Sequence, residues 1–167
     1  MTTIDLSTIL PLIFWGLYFG CVYALLATGL NVIFGVMKIV NFAHGELMMM
    51  GAYATYWIST LFGVNPYLAI LASASAVAVL GAVIRRLCFK PIATTGKLNE
   101  IFVSVALIFI LQNVAASLWK SDDRKILSPY ESSWLNMGSF NLPLDYVTTI
   151  ALTAAILLGL FSFLKMT

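Results

Sequence analysis

Residues 29–53 read GLNVIFGVMKIVNFAHGELMMMGAY, and this stretch decides how the rest of the chain is organised. It is apolar enough to lie in a bilayer, yet amide and ionisable side chains interrupt it from Asn31 to Glu46. Such groups are costly in hydrocarbon, so in membrane proteins they usually face a bundle interior or a water-filled pathway. The stretch is therefore the leading candidate for function.

The composition places the whole chain in a membrane. Of its 167 residues, 61% are hydrophobic and 10% are charged, whereas soluble domains have roughly 25% charged residues. Four runs carry no charged residue, namely 6–37, 47–84, 101–119 and 146–164. Because a spanning helix needs roughly 20 apolar residues, we expect an all-α polytopic membrane protein with about five membrane segments. The first two runs also leave room for a bent or re-entrant element at residues 29–61.

The charges between the runs predict the topology of one transmembrane domain over residues 1–167. Four basic side chains crowd into residues 85–100 against a single carboxylate, so the positive-inside rule makes this loop cytoplasmic. The turn near Asn65 and the loop at 120–145 are then external. The N-terminus is outside if residues 38–46 are a cytoplasmic turn, and inside if residues 29–61 form a re-entrant hairpin. We expect a multi-pass protein of the cell membrane, inner or plasma.

The polar stretch itself has two interpretations. In a continuous helix, one face would carry Asn31, Gly35, Lys38, Asn41 and Gly45, as in a helix that lines a pathway. Gly45 would bend or break this element, because glycine permits tight backbone paths, and the freed backbone groups could bind a polar substrate. In the other interpretation, the segment is a short cytoplasmic turn whose ionisable groups are in water.

Four further side chains are candidates for polar contacts. His44 and Glu46 provide too few ligands for a zinc site, so we expect no metal and assign the two side chains a role in orientation by hydrogen bonding. Gln112 and Asn113 lie in the later half of the fourth segment. Because an unpaired amide is costly in an apolar setting, either a partner helix satisfies them or they line the pathway.

The sequence lacks the motifs of several other protein classes. It has no G-x-x-x-x-G-K-[ST] phosphate loop, since Gly96-Lys97 lacks the earlier glycine. No nucleophile, base and orienting group occur together, so we expect no enzyme activity and no cofactor. The few basic residues adjoin membrane segments, which argues against nucleic acid as a partner.

Two ordered runs resemble a known family. GLNVIFGV at 29–36 and IVNFAHGE at 39–46, followed by Gly-Ala-Tyr at 51–53, closely resemble the signature of the permease subunits of branched-chain amino acid ABC importers. Lys90-Pro91, the element Leu111-Gln112-Asn113 and an outer loop that begins near residue 121 agree with it. Urea and short-chain amide permeases share much of this signature.

The resemblance implies a permease component of an ABC importer for branched-chain, hydrophobic amino acids. ATP hydrolysis would take place in a separate subunit. The chain would correspond to the N-terminal half of a permease, as a fragment, a split subunit or a degenerate gene product. The implied partners are a second permease subunit or the missing C-terminal half, cytoplasmic ATPase subunits, an external substrate-binding protein and the lipid bilayer. The alternatives are a permease for urea or short amides, and a truncated membrane protein that does not transport.

The resemblance also places the polar stretch in or beside the translocation pathway. A zwitterionic amino acid needs hydrogen-bonding groups, while its branched side chain needs apolar walls. The candidate pathway or substrate-lining residues are Asn31, Lys38, Asn41, His44, Gly45, Glu46, Gln112 and Asn113.

Overall fold

The computed structural model describes residues 6–120, 122–130, 133–136 and 141–166. Within these ranges the chain forms five long helices: α1 (Leu6–Val32), α2 (His44–Phe62), α3 (Pro66–Ile84), α4 (Lys97–Trp119) and α5 (Leu144–Met166). One antiparallel pair of short strands joins β1 (Trp134–Asn136) to β2 (Asn141–Pro143) between α4 and α5. The prediction of an all-α fold is confirmed.

Four helical stretches among the described residues are long and apolar enough to cross a bilayer. They are Ile9–Gly35, Pro66–Ile92, Lys97–Trp119 and Leu144–Met166. The remaining helix, α2, has 19 residues, but polar and small residues interrupt its apolar sequence. Each long helix exposes large apolar side chains, among them Leu12, Leu61, Leu68, Phe102 and Leu158. Lipid solvates such a surface well and water does not, so the polytopic membrane fold is confirmed.

A tight turn joins α2 to α3. Gly63 has a φ of 62°, the left-handed conformation that glycine adopts easily when it ends a helix. The Asn65 side chain accepts the backbone N–H of Tyr67 at 3.0 Å and caps α3, with Pro66 in its first turn. Within this helix pair, the buried hydroxyls of Thr55 and Ser73 are hydrogen-bonded at 2.7 Å.

The predicted bend in residues 29–61 is present, but its position differs from the expectation. α1 continues into a π-helical turn, Ile33–Met37, and helical structure then stops at Lys38, whose φ is 53°. Residues 38–43, called the break below, are not helical. Gly45 lies inside the first turn of α2, so the prediction that it breaks the element was wrong. A single helical face with the five predicted polar and small residues is therefore not formed.

The basic segment follows α3 without an extended loop. It consists of a π-helical turn, Arg85–Phe89, and a 3-10 turn, Lys90–Ile92, and α4 then begins after Gly96. A buried apolar cluster of Ala43, Ile84, Phe89 and Leu107 lies where this segment meets the break. The hydrophobic core of this part of the chain is therefore built around the break.

The chain divides into two compact units, Met1–Gly29 with Ser128–Thr167, and Leu30–Leu127. In the first unit, the rings of Trp15 and Tyr18 from α1 pack against Tyr146 of α5, with centroids 5.4 and 4.9 Å apart. The single transmembrane domain over residues 1–167 stays a prediction.

Candidate functional site

Asn41 organises the end of the break. Its side chain is buried, and Oδ1 accepts the backbone N–H of Ala43 at 3.0 Å. This local turn, which asparagine forms readily, leads directly into α2, where the N–H of Leu47 bonds to the carbonyl oxygen of Ala43 at 3.1 Å. A predicted pathway residue thus has a structural role in starting the helix.

Two charged residues in the first turn of α4 hold the backbone of the break. Glu100 is 5% exposed, and its Oε2 accepts the backbone N–H of Val40 at 2.9 Å. Lys97 Nζ lies 3.2 Å from Glu100 Oε1 and also donates to the carbonyl oxygen of Lys38. A buried carboxylate is tolerated when it is paired and hydrogen-bonded, and both conditions are met. We call these four residues the Glu100 latch.

Farther along α4, a side-chain pair joins it to α2. Gln112 Nε2 donates to Glu46 Oε1 at 2.9 Å. His44 lies two residues earlier, and its Nδ1 is buried without a hydrogen-bond partner among the described residues. The structure therefore brings together Glu46 and Gln112, two predicted site residues that are far apart in sequence.

The contacts also define how α2 runs beside α4. Glu46 pairs with Gln112 and Tyr53 stacks on Trp119, with an offset of 66 residues in each case. A constant offset means that the two helices are parallel in this region. At the Glu100 latch the offset is 60 rather than 66, so the register against α4 differs between the break and α2.

The break therefore adjoins the start of α4, and α2 begins beside a later part of that helix. The last two residues of the break, Phe42 and Ala43, form a turn before α2. Residues of the break contact α4 in its first half, and those of α2 contact its second half.

The remaining predicted site residues are more separate. Asn31 is exposed on α1, and the Asn113 side chain donates to the carbonyl oxygen of Phe109 in its own helix at 2.7 Å. Lys38 contributes its backbone carbonyl to the latch, while Gly45 has open space, since a Cβ there would meet no described atom within 4 Å. The role of these residues in a pathway stays a prediction.

A cavity of about 840 Å³ adjoins the break. The break and α2 line it with Ile39, Asn41 and Leu47, and the basic segment contributes Arg85, Arg86, Phe89, Lys90 and Ala93. Ile33, Ala78, Gly81, Ala82, Ile84 and Glu100 complete the lining. At membrane depth, non-helical backbone is tolerated only where it is buried in protein or lines a cavity. The break lines this cavity.

A second cluster lies at the Trp119 end of α4. The Arg124 guanidinium lies over the rings of Tyr56 and Trp57, 5.4 and 5.0 Å from their centroids. It also donates to the carbonyl oxygen of Trp119 at 3.0 Å, and Tyr53 stacks on the Trp119 ring at 4.4 Å. We call these five residues the Arg124 cluster.

Sequence reasoning missed both the Glu100 latch and the Arg124 cluster. Lys97 and Glu100 were interpreted as loop charges, although their spacing of three residues after a glycine is typical of a first helical turn. The aromatic residues at 53, 56 and 57 share one helical face at the same spacing. No local signal indicated that Arg124 would cover them.

The sequence of residues 12–167 matches the family described as branched-chain amino acid transport system / permease component. The chain belongs to this family. Its membership confirms the resemblance of the two signature runs, and with the span-capable helices it confirms a multi-pass membrane protein. Members of this permease family are transport components rather than enzymes.

Named relatives in the permease family are identical to the chain at about a quarter of the aligned positions. The high-affinity branched-chain amino acid transport system permease protein LivH of Salmonella typhimurium is 26% identical over 143 residues, which cover 81% of this chain and 46% of LivH. LivH of Escherichia coli K12 gives the same values. BraD of Pseudomonas aeruginosa is 29% identical over 119 residues, 66% of this chain and 39% of BraD.

The chain thus spans about half the length of the curated permeases that it matches. No solved structure matches it significantly. The site geometry of this permease-family chain accordingly rests on its own contacts.

Proposed function

We propose that the chain is a permease component of an ABC importer for branched-chain amino acids and forms part of the translocation pathway. The observation that carries the proposal is the family match over residues 12–167, on a fold rich in span-capable helices. ATPase subunits, a second permease subunit and an external substrate-binding protein are the partners that belong to this proposal.

The orientation of α4 follows from the charge distribution. Because the basic segment is cytoplasmic by the positive-inside rule, the Lys97 end of α4 faces the cytoplasm and the Trp119 end faces outside. The 23 residues of α4 extend about 34 Å, enough for a hydrocarbon core of about 30 Å. The Glu100 latch would then mark the cytoplasmic membrane surface.

On this scale the break would enter the membrane from its cytoplasmic surface. Gln112 would be about 22 Å above Lys97, so its partner Glu46 and the start of α2 would lie at bilayer depth. Helices that begin within the membrane present free backbone N–H groups there, and transporters use such ends to bind polar parts of a substrate. The proposal therefore places the pathway at the start of α2, between the break and Gln112.

The side chains at this point suit a zwitterionic substrate. Glu46 is a hydrogen-bond acceptor for an ammonium group, and Gln112 supplies both a donor and an acceptor. A passing amino acid would replace its hydrogen bonds to water with hydrogen bonds to these two side chains, which lowers the free-energy cost of leaving water. We propose these two residues, with His44 beside them, as the part of the predicted site that contacts substrate.

Transport in proteoliposomes tests the function. The chain would be expressed with the ATPase, second permease and binding-protein subunits of its own organism, purified by a tag on the chain, and reconstituted. We expect the ATPase to co-purify, and we expect ATP-dependent uptake of leucine, isoleucine and valine but not of urea or acetamide. Uptake of urea alone would contradict the substrate assignment, and an assembled complex without amino acid uptake would contradict the function.

Cysteine labelling tests the depth of the break separately. In a background without Cys21 and Cys88, Lys38→Cys and Ala43→Cys would be exposed to a membrane-impermeant maleimide in inside-out vesicles. We expect rapid labelling at position 38 and protection at position 43, since Ala43 is 1% exposed and lies higher along α4. Equal labelling at both positions would contradict a membrane-embedded break.

A further inference from the structure

The cavity beside the break has a strongly basic mouth. Arg85, Arg86 and Lys90 line it against one carboxylate, Glu100. That carboxylate is already engaged by Lys97 and the backbone of Val40. Among the described residues, no salt bridge or side-chain hydrogen bond engages the three cations, which are exposed. The mouth therefore offers positive charge that no group of the described chain neutralises.

The part of the cavity lining on α3, which precedes the two arginines, is apolar and has little side-chain bulk. Ala78, Gly81 and Ala82 on α3 leave a furrow, and a Cβ at Gly81 would meet no described atom within 4 Å. From Lys90 to Ala78 the chain advances about 18 Å at helical rise, which exceeds half of a hydrocarbon core of about 30 Å. The cavity lining thus extends far enough from the cations for the first part of one acyl chain of the cytoplasmic leaflet.

Two π-helical turns border the same cavity, Ile33–Met37 through Ile33 and Arg85–Phe89 through its arginines. Such turns are rare and occur frequently at functional sites. Their position indicates that the helices on both sides of the cavity depart from regular geometry where the basic mouth is formed.

We propose that this cavity binds one anionic phospholipid of the cytoplasmic leaflet. Its phosphate lies among Arg85, Arg86 and Lys90, and an acyl chain follows the furrow on α3. Basic pockets between membrane helices on the cytoplasmic side suit such headgroups. The volume of about 840 Å³ accommodates a headgroup together with part of a chain.

A phospholipid fits this cavity better than a protein surface does. Charge at one end and apolar wall along the rest is the order of polarity within a phospholipid. An acidic protein would contact the three cations but leave the furrow empty. The inference depends on the membrane orientation of the basic segment and not on transport, so a failure of the proposed transport activity would leave it intact.

Native mass spectrometry of the purified chain tests the proposal. Detergent-solubilised protein would be titrated with phosphatidylglycerol or phosphatidylcholine of identical acyl chains. We expect phosphatidylglycerol to be retained at least about tenfold more strongly, and we expect the triple variant Arg85→Gln, Arg86→Gln, Lys90→Gln to lose this preference. The control is Lys165→Gln, which removes a charge at the end of α5 outside the cavity and keeps the preference.

A second variant separates the furrow from the charges. Gly81→Leu keeps every cation and has room for its Cβ, so the fold should persist while the longer side chain occupies the furrow. We expect weaker retention of phosphatidylglycerol at an unchanged melting temperature. Equal retention of both lipids, full retention by the triple variant, or full retention by Gly81→Leu would overturn the proposal. Binding of an ATPase subunit that depends on the three cations, without lipid retention, would instead assign the mouth to a protein.

Discussion

The two ends of α4 hold their neighbours by different means. At the Lys97 end, a buried carboxylate and a lysine bind backbone groups of the non-helical break. At the Trp119 end, an arginine lies over aromatic rings of α2 and donates to the carbonyl oxygen of Trp119, where α4 ends. A break has backbone groups without helical partners, so it needs charged groups in fixed positions. The loop that follows α4 is largely exposed, and an aromatic surface with one cation suffices.

A substitution in the Glu100 latch should lower the free energy of unfolding more than a substitution at the Trp119 end of α4. We expect Glu100→Ala to lower the free energy of unfolding by about 2–3 kcal/mol, because it leaves the backbone N–H of Val40 without its acceptor and removes the carboxylate partner of Lys97. Intrinsic tryptophan fluorescence during unfolding in mixed micelles measures this change. The matched control is Asn99→Ala in the same helical turn, whose exposed side chain bonds only to the carbonyl oxygen of Thr95 and whose loss should cost less than about 1 kcal/mol. Equal losses in the two variants would mean that burial of the carboxylate is not what matters.

A substitution in the Arg124 cluster should lower the free energy of unfolding by a smaller amount. Arg124→Ala removes contacts with two rings and one hydrogen bond, an expected loss of about 1–2 kcal/mol in the same unfolding experiment. Arg124→Lys keeps the charge but lacks the planar guanidinium that stacks on aromatic rings, so it should recover less than half of the loss. Full recovery by lysine would show that charge alone secures the loop.

The hydroxyl pair that joins α2 to α3 should contribute least to the free energy of unfolding. Thr55 and Ser73 are hydrogen-bonded to each other, but each hydroxyl also contacts a carbonyl oxygen of its own helix. A double-mutant cycle with Thr55→Val and Ser73→Ala should therefore give a coupling of only about 0.5–1 kcal/mol. A coupling above about 2 kcal/mol would place the main attachment of α2 in the middle of the helix pair rather than beside α4.

Local sequence predicted the helices and the α2–α3 turn because their signals are local. Apolar runs specify spans, and Gly63 with Asn65 and Pro66 specifies the turn. The position of the break could not be predicted in this way. Glycine propensity pointed to Gly45, but a glycine in the first turn of a helix is easily tolerated, and the contact that holds the break joins residues 60 positions apart.

The candidate site was predictable in composition and not in geometry. The polar residues of the signature were recognised, yet Asn41 forms a local turn and Asn113 bonds to its own helix. Glu46 meets Gln112 because the register against α4 shifts between the break and α2. That shift depends on tertiary contacts, which no pattern within either segment encodes.

The central claim is that Glu46 and Gln112 lie in the pathway at the start of α2. A double-mutant cycle on ATP-dependent leucine uptake, with Glu46→Ala, Gln112→Ala and their combination, tests it most directly. We predict that each single change lowers the initial rate by at least about tenfold, that the double change is no worse, and that stability changes by less than about 1 kcal/mol. Ser117→Ala, at an exposed position of α4 outside the predicted site, is the control and should transport normally. Wild-type uptake by both single variants would contradict the claim.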